Sequence, residues 1–374
     1  MATATSLLTL VYAPDWRWTW KLAIIAGEYG HWLILLPLGL AGLAGWTTEG
    51  WWRIFTVLLC GIAMVGLMRP AVSAWRIGNR WPVEMHRAFR RSEAPQNVFS
   101  FSRLYRGSVL PQVRVTTEIF ARPEGEELKL DFYVPPFAKD PTARPPCIVV
   151  IHGGGWDGGD RTQLAWWNQH WAGQGYAVAA ISYRLAPRWI WPAQRDDTLA
   201  AIAWLKAHAE QLGFDPTRLI LLGRSAGGQI ATAVAHGAHD PAIRGVIALY
   251  APHDMPFTWS VSRVDDTLNS IALLRNLFGG APDEGRQALY ASASGQLLAQ
   301  PNSPPTLLIH GGLDTLSWSR HSERFTARLQ ELRVPHYYLC LPWATHGFDY
   351  NRDGPGGQLA AAAIDAFLRN VAAP

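Results

Sequence analysis

Ser225 stands in Gly223-Arg224-Ser225-Ala226-Gly227-Gly228, directly after the apolar run Leu219–Leu222 and before the small-residue helical stretch Gln229–His236. G-x-S-x-G between a strand and a helix forms a tight turn that lifts the serine hydroxyl to the carboxyl end of a strand. The residues beside the serine must be small, and the helix that follows favours a developing negative charge. A serine hydroxyl is a weak nucleophile, so the chemistry needs a base, a group that orients the base, and donors for an oxyanion. His346, in Thr345-His346-Gly347-Phe348, and Asp314, in His310-Gly311-Gly312-Leu313-Asp314, each follow a strand-like run. Consecutive glycines in His152-Gly153-Gly154-Gly155-Trp156 let backbone N–H groups converge on one point. Gly154 and Gly155 are the preferred donors, Gly153 shapes the turn, and the N–H of Ala226 completes the hole. The reaction expected of this set is acyl transfer.

Each piece alone has an ordinary explanation. An aspartate after a strand often caps a helix, and a histidine in a loop is often solvated. His310 and His152 are rival bases, but His152 belongs to the glycine loop and His310 precedes the acid. A phosphate-binding loop is disfavoured because no G-K-[ST] or G-x-G-x-x-G follows the glycines. No H-x-x-E-H or H-E-x-x-H spacing supports a metal. The order Ser225, Asp314, His346, each after a strand, is the chain order of the α/β-hydrolase triad.

The positioning elements are legible from Pro111 onward. Val113–Ala121 and Leu128–Val134 read as an antiparallel pair around the turn Pro123-Glu124-Gly125-Glu126. Strands are then expected over 147–152, 176–183, 219–222, 245–250, 306–310 and 336–341. Helices are expected over 196–210, 229–236, 319–332 and 357–371. Buried strands alternating with amphipathic helices predict a mostly parallel sheet covered on both faces, with ligands at the carboxyl ends of the strands. Residues 252–300 are long for a connection and carry Trp259, Leu268, Leu273, Leu274 and Phe278. They read as a cap-like insertion that either covers the acyl pocket or packs the fold.

Residues from about 112 to 374 resemble the α/β-hydrolase superfamily, closest to its hormone-sensitive-lipase-like and feruloyl-esterase-like carboxylesterase branches. The resemblance rests on His152–Trp156 with Gly159-Asp160, on Ser182-Tyr183-Arg184-Leu185-Ala186-Pro187, and on Trp191-Pro192-Ala193 with Asp196-Asp197. It continues through Asp215-Pro216, Gly223–Gly228, His310–Asp314 and His346–Phe348. It implies nucleophile Ser225, base His346, acid Asp314, no cofactor, and hydrolysis of carboxylic esters, sometimes acetyl esters of sugars. Two positions depart from the pattern. Thr315-Leu316 stands where Val-Pro often follows the acid, and Arg224 stands where a smaller residue often precedes the serine. Arg224 would contact a substrate carboxylate or pair with a nearby acid.

The first third has a different character. An uninterrupted apolar run covers 32–46, a second covers 54–68, and Thr47-Thr48-Glu49-Gly50 separates them. A membrane-spanning helix needs roughly 20 apolar residues. The first run reaches that length only by including Leu22–Gly27 and tolerating Glu28 and His31. The second does so through Trp51, Trp52 and snorkelling arginines. The expectation is a two-helix transmembrane hairpin within residues 1–70, with a buried helical hairpin as the alternative. Arg17 and Lys21 before the first helix, and Arg69, Arg76, Arg80, Arg87, Arg90 and Arg91 after the second, place both termini and the catalytic domain in the cytoplasm by the positive-inside rule. Residues 71–111, with Trp75, Ile77, Trp81, Met85 and Phe89 among arginines, read as a basic helix along anionic lipid or as a linker helix packed on the protein.

The 374 residues allow one large domain and an appendage, and many of the 19 tryptophans fall in the first third. Cys60, Cys147 and Cys340 show no C-x-x-C spacing, so neither a disulfide framework nor a thiolate metal site is expected. The net charge of +4 is small, and no nucleic-acid partner is expected. The expected partners are a small-molecule or lipid-like ester and membrane lipid, through residues 22–70 and the arginines of 69–91. The alternatives are a hydrolase fold kept for recognition and, among enzymes, a deacetylase of acetylated glycans.

Overall fold

The computed structural model describes residues 2–89, 98–136 and 144–372. Its eight strands are β1 (Arg114–Ala121), β2 (Leu128–Val134), β3 (Cys147–Ile151), β4 (Ala177–Ile181), β5 (Leu219–Arg224), β6 (Ile243–Leu249), β7 (Thr306–Gly311) and β8 (His336–Leu341). They form one sheet in the order β1-β2-β4-β3-β5-β6-β7-β8. β2 pairs antiparallel with both β1 and β4, and every other pair is parallel. β3, β4 and β5 are buried along their whole length, which is why they read as continuous apolar runs rather than alternating ones. The chain order reverses around β3, so the crevice outside the carboxyl ends of β3 and β5 is where a ligand belongs.

Helices cover both faces. In chain order they are α1 (Ala2–Leu7), α2 (Arg17–Leu33), α3 (Leu35–Thr47), α4 (Gly50–Gly78), α5 (Trp81–Phe89), α6 (Phe101–Arg106), α7 (Ala165–Gly173), α8 (Ala193–Ala207), α9 (Ala209–Leu212) and α10 (Ala226–Gly237). Then come α11 (Met255–Val261), α12 (Ser270–Phe278), α13 (Gln287–Ser292), α14 (Gly295–Leu298), α15 (Arg320–Glu331) and α16 (Pro355–Val371). One core packs α16, α7, α5 and the end of α4 on one face of the sheet. The other packs α8, α10 and the 252–300 segment on the opposite face. Leu274, Leu277 and Phe278 of α12 belong to this second core, so the insertion packs the fold as well as overhanging the strand ends.

The amino-terminal third differs from a plain hairpin. Its first apolar stretch is broken at Ile34, and α2 and α3 meet at a 54° bend. α2 is docked on the catalytic domain. Gly356 N donates to Glu28 Oε2 at 2.8 Å, Asn351 Nδ2 to the Glu28 carbonyl at 2.9 Å, and His31 Nε2 lies 2.9 Å from the Leu104 carbonyl. Glu28 and His31, the two polar residues that the run seemed merely to tolerate, are therefore the contacts that fix it. α2 crosses α4 so closely that a Cβ on Gly30 would fall 2.2 Å from the Leu67 carbonyl oxygen. Exposed apolar side chains concentrate on α3 and the first half of α4: Leu36, Leu43, Trp46, Trp52, Phe55, Leu58 and Val65 among them. By length and composition α4 can cross a membrane, and the bent pair α2–α3 would count as a second crossing if it acted as one span.

The linker also resolves toward packing. α4 continues to Gly78, and Trp81 and Met85 of α5 are buried beside Ala71, Ala74 and α16. Arg90 and Arg91 lie outside the described residues.

Candidate active site

The turn after β5 holds Ser225 at φ 52° and ψ −120°, a conformation that side-chain-bearing residues rarely adopt. The surroundings leave it little choice. A Cβ on Gly227 would lie 2.2 Å from the Ile151 carbonyl oxygen, and one on Gly223 would lie 2.1 Å from that of Gly227. Ser225 N donates to the Leu249 carbonyl at 2.9 Å, and α10 starts at Ala226. The first N–H groups of a helix have no partner within it, and that of Ala226 is among them.

The glycine loop after β3 folds over this turn. Gly154 and Gly155 take φ of 128° and 62°, and both line a cavity with Gly153, Ser225 and His346. Gly153 N donates to Gln163 Oε1 at 2.8 Å, so its amide braces the loop. Trp156 Nε1 donates to Gln229 Oε1 at 2.8 Å, tying the loop to α10. The structure thus gathers Gly153, Gly154, Gly155, Ser225 and His346 around one space, with Ala226 one residue behind the serine.

Asp314, fully buried after β7, accepts a hydrogen bond from His346 Nδ1 at 2.7 Å through Oδ2. Its Oδ1 accepts from the N–H groups of Leu316 and Ser317 at 2.8 and 2.9 Å. Burial pushes this carboxyl up, but the His346 charge and the hydrogen bonds from His310 and His346 outweigh it. The group is held well below the usual carboxylate range, as an anion. A buried anion bonded to Nδ1 leaves Nε2 as the working nitrogen of His346.

Both rival bases are structural. His310 is fully buried, with Nδ1 2.8 Å from Ser322 Oγ and Nε2 between the Ser317 carbonyl at 2.8 Å and Asp314 Oδ2 at 3.3 Å, so it braces the acid. His152 donates through Nδ1 to the Gly153 carbonyl at 2.8 Å and stacks on Tyr183 with centroids 4.2 Å apart. Burial drives His152 down to about 4, so it is neutral near pH 7. Arg224 pairs with a nearby acid: its Nε donates to Asp349, and Tyr250 Oη donates to the other Asp349 oxygen at 2.5 Å. Among the described residues no cluster of histidine, cysteine and carboxylate side chains could hold a metal.

Two cavities meet at Ser225. The larger, about 470 Å³, runs beneath Leu268, Leu273, Leu274 and Trp318, and the smaller, about 260 Å³, contains His346. Sequence reasoning missed one wall of each. Tyr12–Asp15 front the larger cavity, Arg17 and Trp20 the smaller, and Trp20 Nε1 donates to the His346 carbonyl at 2.9 Å. No local pattern marks these residues, because they reach the site only when α2 docks.

The chain is similar to known proteins over its carboxyl-terminal two thirds. The BD-FAE family profile matches residues 130–329, more than half of the chain. The chain is 28% identical to the probable carboxylic ester hydrolase LipM of Mycobacterium tuberculosis (strain ATCC 25618 / H37Rv) over 247 residues, covering 62% of this chain and 56% of LipM. It is 29% identical to esterase LipC of the same organism over 245 residues, covering 62% and 60% of the two chains. It therefore spans little more than half the length of these curated relatives. Among solved structures, a bacterial heroin esterase superposes with a TM-score of 0.60 at 24% identity, over 72% of this chain and 87% of the other. Esterase 2 of Thermogutta terrifontis superposes with a TM-score of 0.56 at 22% identity, over 69% and 92%. These likenesses carry the α/β-hydrolase fold. The profile match over more than half of its length places this chain in the BD-FAE family, on the hormone-sensitive-lipase-like side of the α/β-hydrolases.

Proposed function

We propose that this protein is a membrane-anchored serine carboxylesterase acting through an acyl-enzyme. The observation that carries the reading is the 2.7 Å Asp314–His346 hydrogen bond, with His346 in the same cavity as Ser225 and Gly154–Gly155. The similarity to LipM and LipC supports the reaction class.

His346 Nε2 takes the Ser225 proton as Oγ attacks the ester carbonyl. The negative charge on the former carbonyl oxygen is held by the N–H groups of Gly154, Gly155 and Ala226, of which one donor is worth about 3 kcal/mol. Asp314 keeps the imidazole in the right tautomer and stabilises its protonated form. Collapse of the intermediate breaks the C–O bond, and the alkoxide leaves with the proton from Nε2. Water, deprotonated by the same nitrogen, then attacks the acyl-serine, and the proton returns to Oγ as the acid departs. His346 lines the smaller cavity only, so the alcohol leaves on that side and the acyl chain lies in the larger, more apolar one.

Anchoring is read from α3 and the first half of α4, whose exposed apolar side chains are flanked by Trp46, Trp51 and Trp52. The arginine asymmetry assigns the catalytic domain to the cytoplasmic side.

The test is initial rates on p-nitrophenyl esters from acetate to palmitate, with full-length protein in detergent beside Ser225→Ala. Turnover lost in Ser225→Ala, together with fluorophosphonate labelling lost in the same variant, is expected. Equal turnover by Ser225→Ala refutes the mechanism, and no labelling of the unsubstituted chain favours a recognition role.

A further inference from the structure

The segment Thr9–Trp20 joins the anchor to the active site, and each end is pinned. At one end Thr9 is fully buried against α4, where its Oγ1 donates to the Gly66 carbonyl at 3.0 Å and its own carbonyl accepts from Arg69. At the other end Trp20 holds the His346 carbonyl. Between them Tyr12–Asp15 form the front of the larger cavity.

The level of Thr9 on α4 is informative. Val65 is 74% exposed, while Met68, Arg69 and Val72, which follow it on the same face of α4, are only partly exposed, so the open apolar surface of α4 narrows at the level where Thr9 attaches. Arg69 follows at that level, as a snorkelling residue would. Tyr12 is three residues from Thr9, a reach of at most about 11 Å. The cavity front therefore lies within about 11 Å of the level where the apolar surface narrows.

The outer surface of the segment has the composition of a membrane interface. Leu10, Val11 and Tyr12 are exposed. Trp16 and Trp18 are 59% and 56% exposed and stack with centroids 5.7 Å apart, with Arg17 between them and Lys21 next on α2. Aromatic rings beside cationic side chains are the pattern that binds the headgroup layer of an anionic leaflet. Trp318, on the far rim of the same cavity, is also exposed.

We propose that the larger cavity opens at the bilayer surface, with Tyr12–Asp15 as its lipid-side wall and the exposed Trp16 and Trp18 outside that wall, and that the ester it takes is held in the leaflet by its acyl chain. This rests on the esterase reading and adds to it the source of the substrate. The occupant of the rim is lipid rather than a protein partner because the rim is continuous with the apolar anchor and meets it at its polar boundary. The acyl chain enters past Tyr12 and Trp318 from the leaflet, and the alcohol is released toward His346.

The test compares the full-length protein with a Trp16→Ser/Trp18→Ser double variant, both in phosphatidylcholine–phosphatidylglycerol vesicles. Neither tryptophan lines a cavity or touches the triad. Hydrolysis of p-nitrophenyl palmitate carried in the vesicles is expected to fall about tenfold or more in kcat/KM, while soluble p-nitrophenyl acetate changes by less than about twofold. Equal losses on both substrates, or no loss on either, overturn the proposal. A second measurement does not depend on catalysis. A fluorophore on Trp16→Cys in the Ser225→Ala background, corrected for label on the native cysteines, is expected to be quenched by brominated lipid in preference to aqueous iodide. The reverse preference refutes lipid contact whatever the enzymatic result. Absence of Ser225-dependent turnover on both esters would instead refute the esterase reading, leaving the fluorophore to decide where the rim sits.

Discussion

The indole Nε1 of Trp20 donates to the main-chain carbonyl of His346 at 2.9 Å, linking the first turn of α2 to the base of the proposed triad. The contact adds to the Asp314 bond, so His346 is held through both its Nδ1 and its main chain. Trp20→Phe keeps the ring and removes the donor. One net hydrogen bond is worth about 1 kcal/mol, so kcat on p-nitrophenyl acetate is expected to fall about fivefold with KM unchanged. A raised KM at unchanged kcat would show that Trp20 binds substrate instead.

That contact also marks where sequence reading stops. The elbow, the glycine loop and the strand runs were legible because each depends on neighbours in sequence: small residues in a tight turn, apolar runs for buried strands. The pairing of Asp314 with His346 was legible through chain order. What Trp20, Arg17 and Tyr12 do was not, since an apolar stretch with tryptophans reads the same whether it faces lipid or docks on a domain. Glu28 and His31 were the signal available. Two polar groups inside an apolar run need partners, and here the partners are Gly356 and Leu104. The domain boundary near residue 111 follows composition, while α2 and the end of α4 pack with the catalytic domain.

Asp314→Asn preserves shape but removes the charge that holds the Nδ1 proton. The imidazole then loses its preferred tautomer and the stabilisation of its cation. The expected loss in kcat is on the order of 10³- to 10⁴-fold, with far-UV circular dichroism unchanged. A loss below about tenfold would mean that another carboxylate orients His346.

Gly227→Ala places a methyl 2.2 Å from the Ile151 carbonyl and 2.3 Å from that of His152, both backbone atoms that cannot step aside. The expected cost is about 3 kcal/mol or more, seen as a lower midpoint of thermal unfolding. Gly158→Ala is the control: its Cβ would meet only the Gly154 carbonyl oxygen, at 3.6 Å. Equal midpoints for the two variants would contradict the crowding argument.

Arg224 and Asp349 form a buried ion pair under the smaller cavity, with Tyr250 as third partner. Arg224→Met leaves the Asp349 charge without its cation, and breaking such pairs costs about 3–5 kcal/mol. Adding Asp349→Leu removes the stranded charge and is expected to recover most of the loss. Denaturant unfolding of the three proteins measures the coupling, and additive effects would show that the pair contributes no interaction energy.

Four buried imidazoles set the acid limit. Burial drives His152 down to about 4 and His236 and His321 to about 3, and His253 also lies well below its ordinary value. Beyond burial, His253 is depressed further by His321, His310 and His236, and His321 by His310 and Arg324 against the opposing Asp314 charge. Charge on His253 is thus opposed from α10, β7 and α15. Between pH 6.5 and about 4 the unfolded chain binds protons that the folded chain refuses, so stability falls as pH falls. His152, His236 and His321 each contribute roughly 2 kcal/mol of that loss by about pH 5, and His253 adds in the same direction. Asp314, whose folded value is depressed instead, adds to the loss only below its ordinary value of 3.8. The midpoint of thermal unfolding is therefore expected to drop by on the order of 10 °C or more between pH 7 and 5. His321→Gln is expected to shrink the drop by removing one titrating group. A flat profile across this window would mean that the imidazoles are charged in the folded protein.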